Sequence, residues 1–329
     1  MSERGLQVSP LASRAQDSAV ETHTWAVVLA GGKGTRLSGL TRHVYGEDRP
    51  KQYAALTGGK SLLRQTLDRV GVLIPPDRTV VVTMVGQGSY LAAELRHESP
   101  SLHVLDQPRD RGTAAAVLLA THWILAQDPE ARLVMLPSDH FVADDTIFMG
   151  HVAEVLNGLE LQPERIVLLG AKPSEPEPDY GWIEPGEALP GSRRAPMHRV
   201  LRFREKPTPS VANELLRSGA LWNTFIFAGR AAAVSEAGRE CLPSLHERLA
   251  RLPTFFGTEH ERWALRQAYE LAPQASFSRA VLERSPRKLA VMQLSGVVWR
   301  DLGTPDRVIK TLDELGIHPD WLAALRVAV

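Results

Sequence analysis

The sequence predicts an α/β protein: a mixed, mostly parallel sheet with helices on both faces. Three observations carry that expectation. Short apolar runs rich in Val, Ile and Leu alternate with longer helical segments from residue 25 to about residue 170. The first run, Trp25–Ala30, stops abruptly in a turn holding Gly31, Gly32 and Gly34. The chain has 329 residues and 43% hydrophobic content, enough to bury a sizeable core.

In chain order, residues 1–22 are polar and without period and read as a flexible tail before one domain at 23–329. Ser61 reads as the cap of a helix over Leu62–Val70. Thr79–Met84 is the second expected strand, Gln87–His97 a helix and Leu102–Leu105 a third strand. Thr113–Ala126 follows as a long apolar helix, Leu133–Leu136 as a strand, Asp144–Leu159 as a helix and Ile166–Leu169 as a strand. That alternation places helices on both faces of a parallel sheet, where ligands bind beyond the carboxyl ends of the strands.

The pattern changes after residue 170. Residues 171–196 are rich in Pro, Gly and Glu. Val200–Arg204 and Trp222–Phe227 read as strands around an amphipathic helix, and helices are expected over about 230–285. Leu289–Gln293 and Val297–Trp299 read as the last strands, and Thr304 caps a closing helix with Pro305 at its first position.

Charge and cysteine content narrow the function. Lys+Arg and Asp+Glu are equal at 38 each, which gives no field for gripping a long polyanion and disfavours nucleic acid. Cys241 is the only cysteine, so neither an intrachain disulfide nor a cysteine zinc site is expected. With no signal-peptide core and no run of about 18 apolar residues, a cytoplasmic protein away from membranes is expected.

The glycine turn carries the first chemistry. Glycines let the backbone approach a ligand, and successive N–H groups in such a turn hold an anion. Lys33 and Arg36 add positive charge there. A buried strand feeding a basic Gly-rich turn is physically a phosphate cradle, although an exposed structural turn would look similar. Leu37 stands where the dinucleotide fingerprint needs Gly, and Ala54 where a P-loop does.

Asp139 follows a strand and is a candidate Mg²⁺ ligand, or else a helix cap. Asp301, just after the last strand signal, is a candidate second carboxylate or a turn former. Lys51 and Lys206 each flank a proline and could hold a phosphate as point charges, or be solvated. Tyr180–Glu184 and Trp222-Asn223-Thr224 mix aromatic and polar groups in a way that suits a sugar, or ordinary strand packing. Gln107, Arg109, Gly112 and Thr113 lie between a strand and a helix, placed to read a base edge or to cap the helix.

The order of these pieces resembles the sugar-phosphate nucleotidyltransferases, and among them most nearly the mannose-1-phosphate guanylyltransferases. The resemblance covers roughly residues 24–310. It rests on Leu29–Leu37, Pro50-Lys51-Gln52, Leu136–His140, Tyr180–Glu184, Arg204–Pro207, Trp222–Phe227 and Trp299–Thr304. It implies a Rossmann-like nucleotidyltransferase fold with a nucleotide-binding half at 23–170 and a sugar-phosphate-binding half at 171–329. The implied reaction joins a nucleoside triphosphate, GTP, to a sugar 1-phosphate, mannose 1-phosphate, releasing pyrophosphate and leaving a homodimer open.

Residue by residue, the resemblance implies that Ala30, Gly31, Gly32, Gly34 and Thr35 bind the nucleotide's phosphates, with Gln107, Gly112 and Thr113 also at the nucleotide. Arg36 would stabilise the departing pyrophosphate and Lys51 the reacting α-phosphate. Asp139 and Asp301 would hold Mg²⁺, Asp139 also being catalytic. Gly181, Glu205 and Asn223 would bind the sugar, and Lys206 its phosphate. The chain departs from the family at Arg111–Ala116, where guanylyltransferases usually carry Arg-Asn-Thr-Ala-Pro-Ala. The same reaction with another base or sugar, a non-catalytic sensor and a glycosyltransferase are the competing readings. The single carboxylate of Ser138-Asp139-His140 speaks against the last.

Overall fold

The computed structural model describes residues 23–96, 101–190 and 196–327, so the expected tail at 1–22 lies outside the described residues. Eleven strands follow in order: β1 (Thr24–Leu29), β2 (Thr79–Met84), β3 (His103–Gln107), β4 (Arg132–Pro137), β5 (Phe141–Val142), β6 (Ile166–Ala171), β7 (Gly181–Ala188), β8 (Met197–Glu205), β9 (Leu221–Arg230), β10 (Leu289–Leu294) and β11 (Trp299–Arg300). Nine form one sheet in the order β3-β2-β1-β4-β9-β6-β10-β8-β7, and β5 pairs with β11 beside it.

The parallel expectation holds for β3-β2-β1-β4 and again for β6 with β10. Elsewhere the pairing is antiparallel, so the sheet is mixed as expected but not mostly parallel. β9 runs antiparallel between β4 and β6, and β8 pairs antiparallel with β10 and β7. β7 also pairs with β9, so five strands close into a mixed barrel. The reason is connectivity. A parallel pair needs a crossover of about a dozen residues or more, whereas only residues 189–196 separate β7 from β8, and the two pair antiparallel as neighbours. β7 itself lies in the Pro/Gly/Glu-rich stretch that shows no strand period.

Alternation along the strands sorts the core into two layers. Val27, Val80, Val82, Leu133 and Met135 face helix Thr113–Gln127 and the helices after β9. Ala26, Val28, Val81, Val134 and Leu136 face helices Leu62–Val70 and Asp145–Gly158. Every residue of β1 from Thr24 to Val28 is buried, and each apolar side chain so removed from water stabilises by roughly 1.5–3 kcal/mol. A third cluster joins Leu37, Leu40, Leu56, Phe141 and Leu302 to Val308 and Leu312 of the closing helix Pro305–Leu315.

The expected caps form. Ser61 Oγ accepts from Arg64 N at 3.0 Å, and Thr304 Oγ1 from Arg307 N at 3.4 Å. Asp144, not Asp139, caps helix Asp145–Gly158, accepting from Ile147 N at 2.8 Å. Among the described residues no helix is long and apolar enough to cross a membrane.

Candidate functional site

The glycine turn leaves the carboxyl end of β1 and is held from below by two buried glutamines. Gln52 donates from Nε2 to the carbonyls of Ala30 at 2.6 Å and Gly32 at 2.9 Å, and Gln87 donates to Gly32 O at 3.1 Å. The carbonyls are therefore occupied, while among the described residues the N–H groups of Gly31, Gly32, Lys33 and Gly34 meet no partner. Gly34 has φ +64°, and a Cβ there would lie 2.6 Å from Lys51 N, so this position excludes a side chain. A Cβ on Gly32 would meet open space. Thr35, Lys33 and Arg36 are exposed, and the two cations make no ion pair among the described residues.

Lys51 enters from a short helical turn and is only 6% exposed. Its Nζ lies 3.4 Å from Asp139 Oδ2 and donates to the backbone carbonyl of Asp301. One ammonium thus brings Asp139, after β4, and Asp301, after β11, into one neighbourhood. Ser138 ties the β4 end to β1, its Oγ donating to Leu29 O at 2.7 Å. Burial acts to raise the Asp139 carboxyl, yet the Lys51 ammonium and His140 hold it below the usual carboxylate range. Burial holds His140 below its ordinary value against the opposing pull of Asp139.

Asp139 is half-buried and lines a cavity of about 380 Å³ together with Gly31, Gly32, Gln107, Gly112 and Thr113. Six of the residues singled out in the sequence therefore share one space. An ionised carboxylate lining one cavity with the unpartnered N–H groups of Gly31 and Gly32 could hold Mg²⁺, which takes one or two carboxylates and fills its remaining positions with phosphate and water oxygens. Asp301 is more committed. Its Oδ1 accepts from Tyr180 OH at 2.5 Å, Gly303 N at 3.0 Å and Arg307 Nη1 at 3.4 Å, while among the described residues Oδ2 meets only Arg307, at 3.4 Å. Among the described residues no group of three or more His, Cys, Asp or Glu could hold a metal by itself, so phosphate oxygens would complete the set.

Behind Gln107, Gly112 and Thr113 of the cavity lies a segment that the sequence marks only as part of a helical region. Ala114 N donates to Ala275 O at 3.1 Å, Ala275 N to Arg111 O at 3.0 Å, and Phe277 N to Thr113 Oγ1 at 2.9 Å. Tyr269 OH donates to Gln107 Oε1 at 3.2 Å. Gly112 has φ +78° and ψ 175°, and a Cβ there would lie 2.3 Å from Ala275 O. The missing Asn at 112 thus has a steric cause: the crossing segment of residues 271–277 occupies its place.

The sugar-side residues cluster around the β7–β8 pair. Gly181 faces Glu205 in register, and a Cβ on Gly181 would lie 2.8 Å from Glu205 Oε2 and 3.1 Å from Asn223 Cβ. Asn223 Oδ1 accepts from Phe225 N at 3.1 Å, and Phe225 lines the glycine-turn cavity, so the two regions adjoin. Burial raises Glu205, opposed by Lys206 and Arg279. Glu205 and the exposed Lys206 also line a second cavity of about 550 Å³ with Arg202, Arg204 and Glu283. Lys206, Phe225 and Leu302 are the non-glycine residues with positive φ among the described residues, and all three adjoin candidate site residues. Strain of that kind gathers where a site over-determines the backbone.

Gln87, Asp110, Tyr269, Ala275 and Arg307 escape a reading of the sequence. Gln87, Tyr269, Ala275 and Arg307 act through partners distant in sequence, and Asp110 through a turn bond to Gly112 N whose place at the cavity shows only in the fold.

A family model described as Nucleotidyl transferase matches residues 25–315. The mannose-1-phosphate guanylyltransferase of Escherichia coli K12 is 28% identical over 290 residues, covering 86% of this chain and 59% of that protein. The xanthan biosynthesis protein XanB of Xanthomonas campestris is 29% identical, covering 88% of this chain and 60% of that one. The chain thus spans about 60% of the length of these relatives. A solved structure from Thermus thermophilus, described as mannose-1-phosphate geranyltransferase, superposes with TM-score 0.70 at 35% identity, covering 85% of this chain and 76% of that one.

Proposed function

The chain belongs to the nucleotidyl transferase family, and from that premise we propose that it transfers GMP from GTP to mannose 1-phosphate. The products are GDP-mannose and pyrophosphate. The observation that carries the proposal is the Lys51 ammonium, 3.4 Å from the Asp139 carboxylate, beside a cavity lined by the glycine turn. The names of the relatives support guanine and mannose over other bases and sugars.

In this reading the turn's N–H groups receive the β- and γ-phosphates, and Arg36 meets the departing pyrophosphate from the exposed side. A sugar-phosphate oxygen attacks the α-phosphorus while the bridging oxygen leaves with the β-phosphate. The attacking phosphate has its second pKa near 6, so it is ionised at neutral pH and needs no general base. That agrees with a His140 held below its ordinary range, accepting from Trp299 Nε1 at 3.3 Å.

Catalysis then consists of holding two anions in line and stabilising charge on the leaving group. Lys51 would neutralise the α-phosphate. Mg²⁺, held by Asp139 and by the Oδ2 of Asp301 with phosphate oxygens, would supply further charge neutralisation. Gly181, Glu205 and Asn223 would bind the sugar hydroxyls, and Lys206 the sugar's phosphate.

A grid of nucleoside triphosphates against sugar 1-phosphates, read as pyrophosphate release with Mg²⁺, tests the proposal. GTP with mannose 1-phosphate is expected to turn over fastest. Release that is independent of any sugar phosphate would refute nucleotidyl transfer, and faster turnover with another pair would refute the substrate assignment.

A further inference from the structure

We propose that Asp110 is the group that selects the base, its carboxylate accepting the paired N–H donors of a guanine edge. The inference rests on the nucleotidyl-transfer reading and deepens it. Asp110 lines the same cavity as the glycine turn and Asp139. It follows β3, and Asp139 follows β4, with β2 and β1 between them in the sheet. Three strand spacings of about 4.8 Å separate those strands by about 14 Å. The two carboxylates thus stand toward opposite sides of the cavity, one at its phosphate side and one where a base would extend.

The remaining polar side chains of the cavity are already engaged. Ser138 donates to Leu29 O, and Gln52 to Ala30 O and Gly32 O. Gln107 donates to Thr83 O at 3.3 Å and accepts from Tyr269 OH at 3.2 Å. Thr113 accepts from Phe277 N, and Asp139 faces Lys51. Gly112 has no room for a side chain under Ala275. Asp110 is exposed; its Oδ1 accepts from Gly112 N at 3.0 Å, a turn bond two residues on that orients the carboxylate, and its Oδ2 meets nothing among the described residues.

A fixed carboxylate is selective by its chemistry. It offers only acceptors. Guanine presents N1–H and the N2 amine side by side, so both can donate to one carboxylate. Adenine and cytosine pair one amine with a ring acceptor, and uracil flanks its single N–H with two carbonyls. Each of these sets a lone pair against a carboxylate oxygen, an arrangement that a charged site rejects strongly.

The test compares GDP with IDP, which lacks only the N2 amine, by titration calorimetry on the intact chain, alongside turnover of GTP and ITP with mannose 1-phosphate. The unsubstituted protein is expected to prefer guanine over hypoxanthine by about 10- to 100-fold, the worth of one hydrogen bond to a charged group. Asp110→Asn and Asp110→Ala are expected to bring that ratio within about threefold of unity, with an unchanged melting temperature. If Asp110 merely pins Gly112, both nucleotides weaken alike and the ratio persists, which overturns the inference. Preference of the unsubstituted protein for ADP or UDP also overturns it. Failure of the transferase reading would show separately, as guanine-selective binding without pyrophosphate release.

Discussion

Replacing Lys51 with Met separates what this side chain does for the fold from what it does for the reaction. The substitution keeps the length of the buried stem and deletes the ammonium. In the free protein the loss is modest. Asp139 is 36% exposed at its side chain, so water can replace Lys51 as its partner, and the Asp301 carbonyl loses one donor. A screened ion pair and one hydrogen bond together contribute about 1–2 kcal/mol. For a chain of this size that shifts the melting temperature by only about 2–4 °C. In the proposed reaction, the same ammonium would meet charge developing at the α-phosphorus. Losing one such preorganised donor costs about 10²–10³ in turnover, or about 2.7–4 kcal/mol. The assay is steady-state pyrophosphate release with GTP, mannose 1-phosphate and Mg²⁺, beside a thermal melt. Turnover within threefold of the unsubstituted protein would refute the placement of Lys51 at the reacting phosphate, whatever the melt shows.

Asp139→Asn is expected to cut turnover at least about 100-fold with the fold intact; near-normal pyrophosphate release at saturating Mg²⁺ would contradict its proposed metal role. Gly112→Ala is expected to destabilise by about 1–3 kcal/mol or more, because φ +78° with ψ 175° belongs to glycine alone and the new Cβ would press on Ala275 O; a denaturant midpoint that does not move would show that the 271–277 crossing is loose. Stability should also fall between pH 6.5 and 4 through His122, which is 6% exposed, lies 4.7 Å ring to ring from His246, and leaves Nε2 without a partner. Burial first, then His246, pushes its pKa down to about 4. The unfolded chain therefore binds a proton that the folded one refuses, and by pH 5 about 2 kcal/mol is lost. Urea midpoints at pH 7 and pH 5 should converge for His122→Leu, and an equal loss in that variant would assign the effect elsewhere.

The elements legible in the sequence are those with a local cause. The period of β1, β2 and β4 is set by side chains that must face two apolar layers, and the caps at Ser61 and Thr304 lie within one helical turn of their donors. The glycine turn is legible because Gly34 needs positive φ against Lys51. β7 is not legible. Its burial is confined to Gly181, Trp182 and Ile183, while the rest of the strand is half-buried or exposed and carries Pro185 and Gly186. Tyr269 is also hidden, since its partner Gln107 is distant in sequence, and Asp110 makes a local bond to Gly112 N whose place at the cavity shows in the fold alone.

The sequence by itself determined the α/β class, the strand–turn cradle and the set of ionisable groups, because these follow from periodicity, backbone freedom and residue chemistry over short spans. Tertiary structure alone decided the closed five-strand barrel and the meeting of Asp139 and Asp301 at one lysine. It also decided that residues 269–277 back the Gln107–Thr113 side of the cavity. Those outcomes depend on which distant segments share a surface, and the antiparallel return of β9 between β4 and β6 is what sets that.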